Sequence, residues 1–431
     1  MRRAHVAWLL VGTLFGSAPC VHCQKPADFD KQVTNALDRA RPRLLDQLAS
    51  LQAGRLALAC HALLNDGVTL ADKKMASAID RLSRADLQQC YALSLRLMVI
   101  QELRDYPDRA KAARRDCDDL LKRQSRDGGF TYSPGGARSD LSNTQYAALG
   151  LRAAHNLGVQ IPAKRWQKLA AYTLRQQGRD GGGHYSQKGR MASASMTVAL
   201  IAVLEICDAR MKAGSKYHRK CKKAIAAAWK WVQKRPGDVG SALSASMHLY
   251  YQHYGLERAA ILSGVFEIGG VDWYVAGALM MLGHQADLGG WNGRMPPRGR
   301  RARALPPAPI DPVLTSFAVL FLRRRFQRSL TAATTSGSWI RALYLPENAS
   351  KKQIEASVHG EVGRGYKAVP DLIKALRSQH VSRRVAAVKA LTQITGRFEE
   401  LSPYRKPADN TELLDNIESW WMLEGRKKLE K

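Results

Sequence analysis

Residues 123–151 read RQSRDGGFTYSPGGARSDLSNTQYAALGL. The stretch predicts a helix closing at Gln124, a turn at Asp127-Gly128-Gly129, a loop, and a new helix opening at Asp140. Tyr146, Leu149, Leu151 and Ala154 then recur at helical spacing. The turn returns as Asp180-Gly181-Gly182 and, altered, as Asp287-Leu288-Gly289-Gly290-Trp291. Those copies are 53 and 107 residues apart, so a weakened unit belongs between them, and Pro236–Gly240 supplies it. A further weak copy is Asn65-Asp66-Gly67. Glutamine ends the helix before each turn: Gln124, Gln176 or Gln177, Gln233, Gln285. Small or hydroxyl residues open the helix after it, at Ser142-Asn143-Thr144, Ser195, Ser244 and Asp311. Such side chains satisfy the free amides of a first helical turn.

A helix pair cannot bury its apolar faces alone, whereas stacked neighbours can. A period near 55 residues suits a closed ring, an all-α α/α toroid of inner and outer helix layers, with the inner helices starting at one mouth. The expected organisation is a signal peptide over 1–23, a helical lead-in over 24–54, the toroid over 55–330, a linker over 331–366 and a HEAT-like helical tail over 367–431. In the tail, 369–376 and 384–396 carry apolar i, i+3, i+4 spacing, and a last helix near 409–424 brings Trp420 and Trp421 to close the stack.

The basic Arg2-Arg3 start and the apolar run to Ala18 read as an export signal, too short to span a bilayer. Export to the periplasm, cell envelope or medium follows as the expectation. Lys and Arg outnumber Asp and Glu by 67 to 37, for a net charge of +30, or +28 after residue 23. Five cysteines follow that point, and Cys207 and Cys221, at facing helix ends, are the candidate disulfide. Those five form no CxxC and no Cys-His cluster, so neither a metal nor a cofactor is expected.

The turn-plus-helix pattern resembles the prenyltransferase and squalene-cyclase repeat over about residues 55–330, and more narrowly an exported bacterial group found in planctomycete-like genomes. The supporting stretches are Ser142–Gln145, Tyr254–Arg258, Gly269–Tyr274 and Phe317–Leu322. The resemblance implies an Asp-x-Asp-Asp-Thr proton donor at an inner-helix start. Here that motif falls on Asp140, Ser142, Asn143 and Thr144, and a serine hydroxyl is far too weak an acid. Asp116-Cys117-Asp118-Asp119 matches part of the motif but lies before the turn, in the outer layer. Asp272-Trp273-Tyr274 lacks the cysteine of a zinc ligand pair and reads as an N-cap.

These residues predict a non-catalytic envelope protein whose cavity holds an apolar small molecule or a peptide. Asp140, Ser142, Asn143, Gln145, Tyr146, His248, Tyr251 and Phe317 form its wall. The alternative is a terpenoid or polyprenyl cyclase or transferase using Asp140 or Asp311 as a non-standard acid. Two basic clusters, Arg294, Arg298, Arg300, Arg301 and Arg303, and Lys216, Arg219, Lys220, Lys222 and Lys223, predict contact with an anionic envelope polymer or lipid surface. No nucleic-acid motif accompanies them. The HEAT-like tail offers a surface for a protein partner.

Overall fold

The computed structural model describes residues 26 and 28–425, without 104–107, 134–137, 187–190, 236–246, 266, 294–308, 324–341, 348, 350, 399 and 406. The signal-peptide reading and the arginine cluster 294–303 therefore lie outside the described residues. The chain divides into two units, Met1–Arg323 and Arg324–Lys431.

In the first unit the helices alternate between two layers. The inner layer is α2 (Ala53–Asn65), α4 (Cys90–Glu102), α6 (Leu141–Asn156), α8 (Ala194–Asp208), α10 (Met247–Ser263) and α12 (Pro312–Arg323). Each packs on the next, and α12 packs back on α2, so the ring closes. The outer layer is α1 (Phe29–Gln47), α3 (Lys73–Arg84), α5 (Arg109–Lys122), α7 (Ala163–Arg175), α9 (Lys216–Gln233) and α11 (Trp273–Gly283). Nearly every residue of α6 and α8 is buried, as a helix walled on all sides requires. The fold is an α/α toroid.

The repeated turn is a fastening. Gln124 Nε2 donates to the Gly128 carbonyl (3.0 Å) and to the Arg165 carbonyl on α7 (3.2 Å). Gln177, not Gln176, repeats this onto Gly181 (3.0 Å) and Ala224 of α9 (2.8 Å). Gln285 repeats it onto Gly289 (2.7 Å) and Ala36 of α1 (2.7 Å). Each turn is thus tied to the next outer helix, and the last is tied to the first helix of the chain. Gly289 has φ +93°, and a methyl group there would come 2.6 Å from the Arg39 carbonyl oxygen, so both conformation and space demand glycine. Arg39 and Arg43 donate to the carbonyls of Asp287 (2.9 Å) and Leu288 (3.0 Å). The lead-in assigned to residues 24–54 is therefore part of the ring: α1 is its sixth outer wall.

A second fastening runs from turn to inner helix. Thr144 Oγ1 accepts from the Phe130 amide (3.1 Å), Thr197 from Gly183 (2.9 Å) and Thr315 from Trp291 (3.0 Å). The caps of the same helices are Asp140, Ser193 and Asp311, each accepting from an amide in the first turn. The cyclase-like Asp140…Thr144 spacing is thus a structural cassette common to three repeats. Asp116 takes no exposed place: it is buried, and Arg96 of α4 grips both its oxygens (2.6 and 2.8 Å). Asp272 is the expected N-cap, of α11, following the small hairpin β1 (Glu267–Ile268) and β2 (Val271–Asp272).

In the second unit a helix, α13 (Lys351–Arg364), occupies ground assigned to a linker. α14 (Val369–Leu376), α15 (Val381–Thr395) and α16 (Thr411–Leu423) share an apolar core of Leu372, Leu376, Ala387, Leu391, Ile417 and Trp421, with Trp420 half-buried beside it. Among the described residues no helix is long and apolar enough to cross a membrane.

Candidate functional site

The inner helices all begin at one mouth, and a pocket of about 710 Å³ opens there. Its wall comes from five of their starts: Gln52–Arg55 on α2, Gln89 and Tyr91 on α4, Ser142 and Tyr146 on α6, Ser193 and Ser195 on α8, and Val313 and Phe317 on α12. Tyr251 of α10 completes the ring.

Aromatic rings run down this wall. Tyr132 stacks on Tyr91 (centroids 5.7 Å apart), Tyr91 meets Tyr146 (4.3 Å), and Tyr146 stacks on Tyr251 (6.3 Å). Phe317 stands edge-on to Tyr251 (6.1 Å). Hydroxyls bind the rings together. Tyr251 donates to Gln145 Oε1 (2.8 Å), and having one proton it accepts from Ser142 (2.7 Å). Ser142, its proton spent, accepts from Tyr91 (2.5 Å). The pocket floor is an uncharged chain of phenols, a serine and an amide. Burial first, then the neighbouring phenols, pushes Tyr91 and Tyr146 well above the ordinary phenol range, so the chain stays neutral.

Asp140 stands just behind this wall, almost fully buried. Its carboxylate accepts from the Asn143 amide (2.8 Å) and from Asn143 Nδ2 (2.8 Å), and the phenol of Tyr185, which lines the pocket, is among the groups that hold its pKa down. Burial raises the Asp140 pKa and outweighs the hydrogen bonds that lower it. The hydroxyls of Tyr185 and Tyr132 share a hydrogen bond of 3.4 Å. Tyr185 is thus the pocket residue that neighbours Asp140.

Of the residues expected at the wall, the structure brings Ser142, Tyr146, Tyr251 and Phe317 into the pocket. Asn143 and Gln145 lie behind it, holding Asp140 and Tyr251. Asp311 only caps α12, accepting from Val313 and Leu314 (2.7 and 3.0 Å). The His248 side chain lies outside the described residues. Tyr91, Tyr132 and Tyr185 were missed, although Tyr132 and Tyr185 are 53 residues apart, the period of the turns themselves. The Cys207–Cys221 disulfide is not formed: both are buried free thiols. Burial pushes Cys207 well up and Cys221 to about 12, which suppresses the thiolate that exchange needs. Among the described residues no group of His, Cys, Asp or Glu is arranged to hold a metal.

No protein-family model matches the chain, and no curated protein matches it significantly. Among solved structures, the chain is similar to a protein of Salmonella enterica serovar Paratyphi A described as a possible member of the GH105 family. Identity is 13% and the TM-score 0.49, over 71% of this chain and 97% of that one. It is also similar to an unsaturated glucuronyl hydrolase specific for heparin, at 10% identity and TM-score 0.44, over 71% and 99% of the two chains. Neither is described as a cyclase, a prenyltransferase or a binding protein. The toroid rests on the closed ring of helices itself, and the prenyltransferase and squalene-cyclase assignment is not supported, since no family model matches. The expectation of a non-catalytic holder of an apolar ligand or peptide, with a terpenoid cyclase as its alternative, is likewise corrected.

Proposed function

We propose that this chain is a carbohydrate-processing enzyme. Its tyrosine-lined pocket receives a sugar unit, and Asp140, acting through Tyr185, handles the proton. The observation that carries the reading is the Tyr91–Ser142–Tyr251–Gln145 chain beneath stacked aromatic rings. A sugar offers C–H faces to rings and hydroxyls to exchangeable donors and acceptors, and this wall supplies both. The described wall holds no pair of carboxyls, so the two-carboxylate displacement of many glycosidases is not the chemistry proposed. One carboxyl with a raised pKa, relayed by a phenol, fits general acid–base work at a single position. Export to the cell envelope, where extracellular glycans are met, is part of the same proposal.

The test is a panel of reduced-end-labelled oligosaccharides incubated with purified protein and with Asp140→Asn. The expected result is turnover by the parent, reduced by about 10²–10⁴-fold in the variant. The variant should still fold. Asn143 Oδ1 is buried without a partner, so a flip of that amide lets it accept from the side-chain amide introduced at position 140. Undiminished turnover by a folded Asp140→Asn would remove Asp140 from the chemistry. Failure of every glycan to bind would overturn the reading.

A further inference from the structure

The outer wall of the ring is unevenly charged. α1 carries Asp30, Asp38 and Asp46, α3 carries Asp80, and α5 carries Asp116, Asp118 and Asp119. The adjacent outer helices α7 and α9 contain no carboxylate at all. Lys164 and Lys168 on α7, and Lys216, Lys220, Lys223 and Lys230 on α9, are exposed, and none has an ion-pair partner among the described residues. Lys222 differs, reaching Asp208 (3.2 Å) and Glu205 (3.6 Å) of α8.

Spacing turns these six into two rows. Positions 164 and 168 share one helical face, and 216, 220, 223 and 230 share another. At ~1.5 Å per residue the α9 row is about 21 Å long. Packed helices lie ~8–10 Å apart, about one Debye length at 0.1 M salt, so the rows act as one field. The outer helices end at the glycine turns, so both rows run towards the mouth. There they meet the loop carrying Tyr185, which is 44% exposed and lines the pocket.

We propose that α7 and α9 form a docking strip for a linear anionic polysaccharide, leading along the outer wall to the tyrosine-lined mouth. The exposed arginines of these helices, Arg175 and Arg219, turn a guanidinium N–H to the carbonyls of Asp127 and Gly214, so the strip is mainly lysine, a hydrated point charge suited to spaced carboxylates or sulfates, rather than open arginine forks that grip phosphate. None of the large exposed apolar or aromatic side chains among the described residues stands on α7 or α9, so the strip lacks the platforms that stack bases and the wedges that enter a lipid surface. Only the sugar nature of the polymer rests on the function proposed above; the electrostatic part does not.

The test uses fluorescein-labelled alginate, read by anisotropy between 50 and 300 mM NaCl. Two triple variants are compared: Lys168→Gln/Lys220→Gln/Lys223→Gln in the strip, and Lys31→Gln/Lys73→Gln/Lys111→Gln, exposed lysines elsewhere on the outer wall. Affinity should fall at least tenfold in the strip variant and less than twofold in the control. The salt dependence should become shallower in the strip variant alone. Equal losses in both would reduce the effect to net charge and overturn the proposal. So would tighter binding of a DNA duplex or of phosphatidylglycerol vesicles at the same salt. Tyr251→Ala separates the two readings. It disables the pocket, and strip-dependent alginate binding should survive it even if the pocket takes no sugar.

Discussion

At the mouth of the ring, where the inner helices begin, the polar groups of the pocket floor are neutral: Tyr91, Ser142 and Tyr251 each donate to the next in a chain that ends on Gln145. At the far end, where those helices finish, they are charged. Glu257 and Arg258 pair at 2.6 Å, both almost fully buried, and the Arg258 guanidinium lies 3.2 Å from the Tyr254 ring centroid. Asp66 is held by Arg41 (2.5 Å) and by Arg323. Burial lowers Arg152 to about 10 and His61 to about 3, with Arg258 contributing to both. Helix direction accounts for part of this. Helix starts offer free amides, which Asp140, Ser193 and Asp311 cap, while helix ends offer free carbonyls, which favour basic side chains. The difference teaches which end can open. A neutral hydroxyl trades one partner for a ligand's at small cost, whereas a buried ion cannot lose its partner cheaply. The mouth is built to exchange partners and the far end to keep them.

The largest effect should come from breaking the charged end. Glu257→Ala leaves Arg258 buried without its carboxylate and should cost about 3–5 kcal/mol in urea unfolding. A loss below about 1 kcal/mol would erase the contrast between the ends. At the mouth, Ser142→Ala breaks the hydroxyl chain in the middle and should cost only about 1–2 kcal/mol, because the exposed pocket lets water replace the serine. Asp140→Asn should move stability least, and its effect has a sign in pH. The folded pKa of Asp140 is raised, so the fold favours its protonated form. That contribution is complete below an unfolded value of about 3.9 and is lost as pH rises through the raised folded value. Parent stability relative to Asp140→Asn should therefore fall in paired urea titrations as pH rises from about 3.9 through the raised folded value. A difference that grows over that range would reverse the direction assigned to Asp140.

The ring was legible because glycine turns leave marks that packing cannot disguise: Asp127, Asp180 and Asp287 recur at one period and its double. The wall of the pocket was half legible. Ser142, Tyr146, Tyr251 and Phe317 follow from inner-helix starts, but Tyr132 and Tyr185 sit in loops, where no helical period points inward. Aligning the loops on the turns would have paired them. The function was misread at Ser142, where a missing acid was taken as a missing reaction, although the buried carboxyl of Asp140, two residues earlier, has a raised pKa and a pocket phenol, Tyr185, among its neighbours. The charged end left no trace, since Asp66, Arg258 and Arg323 are ordinary charges at helix ends until the ring brings them together. α1 was hidden for the opposite reason. No glycine turn precedes it, and its partner turn lies about 250 residues downstream.

That last fastening has a consequence for how the chain comes to exist. A chain is made from its N-terminus, so α1 is finished long before the turn at Gly289 that receives it. Until then α1 has α2 and α3 to pack on, but the side that meets α11 and α12, with Phe29 against Tyr274, stays uncovered. Contacts between segments so far apart in sequence are slow to form, and an uncovered helix face is where incomplete chains stick to one another. The first of the described helices is thus the last to find its place, and the ring stays an open arc, exposed to its neighbours, until synthesis has passed the sixth inner helix.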